Sequence, residues 1–127
     1  MNAFILVFLG AGLGGVARHA VNLSCARWCG ISFPWGTLTV NVVGSFLMGA
    51  LVGWLAFRAD ASWSQHVRLF LATGVLGGFT TFSAYSLDAV ALWERGDALS
   101  AAAYVGGSVV LSIIALAGAL SIVRSLT

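Results

Sequence analysis

Four apolar stretches, 3–23, 34–57, 67–93 and 99–123, fill nearly the whole chain, and each is long enough to cross a bilayer. A crossing helix needs about 20 mainly apolar residues, because every backbone N–H and C=O inside hydrocarbon must be paired within the segment. The loops between the stretches are short. Of the 127 residues 60% are hydrophobic and only 8% charged, too little polar surface to cover a water-soluble domain of this size. The sequence therefore predicts an all-α membrane protein, a single four-span domain over residues 1–127 embedded in the lipid bilayer. Pro34 suits the first turn of the second span, where its missing N–H would be unpaired anyway. No Lys/Arg-bearing region precedes the first span, so that span is not read as a cleaved signal peptide.

Loop arginines normally fix orientation, since segments rich in them stay cytoplasmic. Here Arg58, Arg68 and Arg124 fall on the side of both termini and the second loop, while Arg18, Arg27 and Arg95 fall on the other. The tie predicts insertion in both orientations and an antiparallel, dual-topology homodimer. Gly10 and Gly14, and Ser45, Gly49 and Gly53, repeat at every fourth residue, a spacing that lets helix backbones approach closely either within the chain or between copies. No basic cluster points to nucleic acid. Cys25 and Cys29 lack the C-x-x-C spacing of a redox pair and read as structural. His19 and His66 flank spans beside arginines and read as interfacial.

A polar track runs through the spans. Thr37, Asn41 and Ser45 form one stripe on the second, and Tyr104, Ser108 and Ser112 a second stripe on the fourth. An unpaired amide in hydrocarbon costs several kcal/mol, so Asn41 either bonds another helix or lines a wet path; the serines either line that path or bond back to their own helix. The stretch G-G-F-T-T-F-S-A-Y-S, 77–86, is a poor helix interior. It predicts a break in the third span, read either as a packing kink or as an ion site made from freed backbone groups. Beyond it Phe82 and Tyr85 are three apart, as are Ser83 and Ser86. Rings there either pack or turn their positive edges to an anion.

The acids are Asp60, Asp88, Glu94 and Asp97, which leaves the first, second and fourth spans without a carboxylate. Proton-coupled transport normally uses intramembrane Asp, Glu or His. A small dual-topology drug exporter, the main rival, needs a glutamate in the first span and is disfavoured. The other rival is a membrane assembly protein whose polar stripes only bind helices together. The inventory of amide, hydroxyls and ring edges suits a small anion.

Three stretches, G-A-G-L-G-G-V-A-R-H (10–19), G-T-L-T-V-N-V-V-G-S-F (36–46) and G-V-L-G-G-F-T-T-F-S-A-Y-S (74–86), resemble the signature motifs of the Fluc (CrcB) fluoride channels. The resemblance covers essentially the whole chain. It implies a passive channel, not an enzyme, that exports cytoplasmic fluoride across the bacterial inner membrane and confers fluoride resistance. It further implies four spans with the third broken, and an antiparallel homodimer with two fluoride pores and a structural sodium ion. By the resemblance the backbone carbonyls of Gly77 and Thr80 hold the sodium. Asn41, Phe82, Ser83, Tyr85, Tyr104, Ser108 and Ser112 form the fluoride path, and Arg18 supplies a vestibule charge. Tyr85 departs from the family's usual phenylalanine, and Ala84 stands where many members have threonine. Asp88 stands where glutamate is common and is expected at a pore end or in a structural role.

Overall fold

The structure, a computed structural model, describes residues 2–127 and is built from helices, with no strand among those residues. The first helix, α1, covers Ala3–Cys29, and α2 covers Trp35–Ala56. The third span is a composite of α3 (Ser64–Val67), a π-helical segment over Arg68–Leu76, α4 (Gly77–Phe79) and α5 (Phe82–Glu94). The last helix, α6, covers Ala98–Leu126. Four of these units, the composite counted as one, are long and apolar enough to cross a membrane.

Helix ends follow local chemistry. Asn2 caps α1 by accepting the Phe4 N–H at 2.7 Å, and Asp97 caps α6 by accepting the Ser100 N–H at 3.1 Å. Pro34 sits at the cap position of α2, one residue before the helical turn expected for it. The α5–α6 connection is tight because Gly96, at φ 85°, takes a left-handed conformation. Its N–H bonds the Trp93 carbonyl while the Asp97 N–H bonds Leu92, closing the helix end in a Schellman arrangement.

Small residues decide the packing. A Cβ on Gly10 would run into the Phe70 carbonyl oxygen, and one on Gly14 into that of Val75, so α1 lies backbone to backbone on the π-helical segment. Likewise a Cβ on Gly49 would strike the Leu116 carbonyl, and Gly53 faces Val123 at 3.2 Å, which seats α2 on α6. Both four-residue repeats therefore serve contacts within the chain. A buried cluster of Tyr85, Leu92, Ala101 and Tyr104, flanked by Phe33, Leu38 and Ala89, fills the space between α2, α5 and α6.

One expectation changes in detail. The first span reaches Cys29 instead of stopping near residue 23, so Arg18 lies eleven residues, about 16 Å of helix rise, before its end. It is an internal helix residue, as are Arg27, Arg68 and Arg124, which leaves Arg58 and Arg95 in the connections, one on each side. The third span breaks within the expected stretch 77–86, at its threonines. Gly77 is helical at φ −62° and ψ −38°, whereas Thr80 and Thr81 are extended at ψ 159° and ψ 120°. Gly78 serves contact instead, since a Cβ there would meet the Ala11 backbone. The β-branched threonines accept the extended backbone readily.

Candidate functional site

The break is held from across the bundle by one side chain. Asn41 on α2 accepts the Thr81 N–H through Oδ1 at 2.8 Å and donates Nδ2–H to the Thr81 carbonyl at 3.0 Å. Its amide thus does for Thr81 what the helix ladder does elsewhere, pairing both polar groups of an extended residue. The Thr81 hydroxyl caps α5 by accepting the Ala84 N–H at 3.1 Å, and it lies 3.4 Å from the Ser83 hydroxyl. The Thr80 hydroxyl donates to the Leu76 carbonyl at 3.0 Å, closing the end of α4.

These bonds divert two donors. In a continuous helix the Gly77 carbonyl would receive the Thr81 N–H and the Thr80 carbonyl the Ala84 N–H. Here the first goes to Asn41 and the second to the Thr81 hydroxyl. The Gly77 and Thr80 carbonyls are thus among those at the break that lose their ladder partners, and neutral oxygens of this kind suit a hard cation. Among the described residues no cluster of His, Cys, Asp and Glu suits a metal.

Beside the break lies a cavity of about 310 Å³, lined by Asn41, Ser45, Thr80, Thr81, Phe82, Tyr85, Ser108, Val109, Ser112 and Ile113. Five of the seven path residues expected from sequence meet there: Asn41, Phe82, Tyr85, Ser108 and Ser112. Ser83 faces outward and does not line it. Tyr104 is 1% exposed and lies behind the lining, its hydroxyl donating to Asp88 at 3.1 Å. Thr80, Thr81 and Ser45 complete the wall. Ser45 was visible in the stripe of the second span, and the threonines in the break motif, but only the extended backbone at 80–81 turns the threonines to the cavity edge.

The rings are unequal. Phe82 is 78% exposed, while Tyr85 is 9% exposed, with centroids 5.5 Å apart. The Tyr85 hydroxyl donates to the Val105 carbonyl at 2.9 Å, so its proton is engaged. Ser108 is 4% exposed, and its hydroxyl has no hydrogen-bond partner. A buried orphan hydroxyl is costly, and this one borders the cavity.

A second cavity, about 380 Å³, opens beneath the α1–α2 loop and is lined by Asn22, Ser32, Thr37, Asp88 and Arg95 among others. Thr37 and Asn41 are one turn apart on α2, so the two cavities lie end to end. Tyr85, which lines the first cavity, packs on Tyr104 with centroids 5.3 Å apart, and Tyr104 in turn bonds Asp88 of the second. Arg95 is held there by donating to the Ser32 carbonyl at 2.6 Å and by an ion pair with Asp97 at 3.5 Å. Arg18 lines neither cavity. Cys25 touches Thr39 through a weak 3.9 Å contact, and both cysteines are free.

The family described as CrcB-like protein, Camphor Resistance (CrcB), matches residues 5–120. A protein of Nitrobacter hamburgensis called fluoride-specific ion channel FluC 2 is 55% identical over 124 residues, 98% of each chain. One of Granulibacter bethesdensis called fluoride-specific ion channel FluC is 55% identical over 126 residues, 99% of this chain and 98% of its own. A Rhizobium meliloti protein with the same name is 48% identical over 99% of both. Nearly the full length is matched, from the first helix through the last, and the chain belongs to the CrcB family.

Proposed function

We propose that this chain is a fluoride-selective passive ion channel and not an enzyme, and that it lets a cell expel fluoride and so resist it. The relatives' names and the family match support the activity. The single observation that carries it to a site is the lining of the 310 Å³ cavity, which offers hydroxyls, an amide and ring edges, with no carboxylate.

Fluoride holds its water tightly, and burying a bare ion in a low-dielectric interior costs tens of kcal/mol on a Born estimate. The pore therefore has to replace the lost shell with donors. Asn41 keeps one Nδ2 hydrogen beyond the bond to Thr81, Ser108 keeps its hydroxyl proton, and Ser112 lines the same wall. The edges of Phe82 and Tyr85 add partial positive charge. Each donor is weak alone, so an ion binds without being trapped. Selectivity over chloride follows from a narrow donor-lined bore. Hydrogen fluoride crosses membranes as a neutral acid and dissociates inside, so the membrane potential drives the anion out through such a path.

The assembly is part of the proposal. The exposed Phe82 and the outward Gly77 leave the polar cavity open on one flank, where lipid cannot satisfy hydrogen bonds. An antiparallel second copy, in the dual-topology arrangement of the bacterial inner membrane, covers that flank and gives two pores. The Gly77 and Thr80 carbonyls of both copies would then hold a structural sodium ion, which supplies the positive charge that keeps the two breaks together.

The test is fluoride efflux from proteoliposomes, read with a fluoride-selective electrode after a potassium diffusion potential is imposed. Release of loaded fluoride, with chloride retained, is the expected result. Vesicles that contain folded protein and keep their fluoride would refute the reading.

A further inference from the structure

We infer that Tyr85 is a positioning residue that keeps the Ser108 hydroxyl proton available to the anion by occupying the Val105 carbonyl. The inference rests on the fluoride-channel reading above. A serine inside a helix ordinarily turns its hydroxyl back to the carbonyl three or four residues earlier. For Ser108 those are the carbonyls of Val105 and Tyr104. It uses neither, although it is 96% buried. A carbonyl oxygen has two lone pairs. One on Val105 serves the α6 ladder, and the Tyr85 hydroxyl takes the other at 2.9 Å. The acceptor three residues back is thereby filled; the Tyr104 carbonyl four residues back keeps a second lone pair, which the Ser108 hydroxyl does not use.

The same bond settles what the tyrosine offers an anion. Its hydroxyl proton points to Val105 on the neighbouring helix, so that proton is withheld from the cavity that Tyr85 lines. Packing of its ring on Tyr104 and anchorage at its far end hold one orientation, while Phe82 has no such anchor. The hydroxyl that distinguishes this ring from phenylalanine therefore acts through Ser108.

A double-mutant cycle in proteoliposomes tests this. Tyr85→Phe keeps the ring and frees the Val105 lone pair, so Ser108 turns back onto its own helix. Fluoride flux should fall about three- to tenfold, the range of one net hydrogen bond. Ser108→Ala should lower flux at least as much, and the double variant should be no slower than Ser108→Ala alone. Thermal unfolding midpoints in detergent check that the variants remain folded. A Tyr85→Phe rate at or above wild type, a Ser108→Ala rate equal to wild type, or a double variant whose loss is the product of the two would overturn the inference while wild-type protein still conducts. A wild-type protein that releases no fluoride overturns the channel reading itself, and this inference with it.

Discussion

Replacing Asn41 by aspartate changes almost no volume, so no cavity term enters, and the structure sets what is lost. The carboxylate still accepts the Thr81 N–H, now 2.8 Å from Oδ1, and that bond strengthens with charge. On the other arm an oxygen replaces Nδ2 at 3.0 Å from the Thr81 carbonyl oxygen. A donor-acceptor pair becomes two facing acceptors, and leaving the buried carbonyl unpaired costs about 1–3 kcal/mol. The larger effect falls on the ion. A negative charge about 4 Å from an anion in the cavity raises its energy by about 4 kcal/mol at an effective dielectric constant of about 20, about a thousandfold in occupancy. Asn41→Asp should therefore abolish measurable fluoride flux at neutral pH in the electrode assay. Asn41→Ala separates the two effects: it removes the clasp without adding charge, and should lower the unfolding midpoint while leaving some flux. If monodisperse Asn41→Asp protein kept more than about a tenth of wild-type flux, the amide would have no place on the path.

Two further predictions concern stability. Gly14→Ala places a methyl against the backbone of Val75 and Phe79, neither of which can turn aside, and should destabilise by about 1–3 kcal/mol. Gly12→Ala meets nothing within 4 Å and should be neutral or gain up to about 1 kcal/mol from helix propensity; a Gly14→Ala unfolding midpoint in detergent no lower than that of Gly12→Ala would contradict the pair. Hydrogen bonds from Ser100, and to a smaller extent the neighbouring Arg95, hold the Asp97 carboxyl below its ordinary value of 3.8. A depressed folded value means that this contribution is fully present above the ordinary value and is lost as pH falls through the folded one. Asp97→Asn keeps a capping oxygen but cannot titrate. The gap between wild type and Asp97→Asn should thus be constant from about pH 5 to 7 and shrink only in stronger acid; a gap that changes near neutrality would count against the cap.

Much of the site was legible from residue type and spacing. Asn41 and the serines of the fourth span are rare polar groups in apolar helices, and periodicity placed them on stripes. The break was legible too, because glycines and threonines together make a weak helix interior. Its exact residues within 77–86 were not. Gly77 and Gly78 are helical, and the chain opens at Thr80 and Thr81, where Asn41 pairs the Thr81 backbone from another helix. That pairing joins residues forty positions apart, which no local pattern contains. Arg18 was misplaced toward a span end because the first helix continues through Ser24, Cys25 and Arg27, a polar run that reads as loop.

By itself the sequence determined the solvent and the element type. Sixty per cent hydrophobic composition in four long runs leaves helices as the structure that pairs every backbone group in lipid. It also determined which chemistry was absent, since three spans hold no carboxylate. Only the tertiary structure decided which polar groups are free. Asn41 and Tyr85 look alike as donors in the sequence, yet the tyrosine's only proton is taken by Val105 while the asparagine retains one. Ser108, buried beside the same cavity, is left without a partner. A hydrogen bond is a contest among neighbours for a few lone pairs, and the neighbours are assigned by packing.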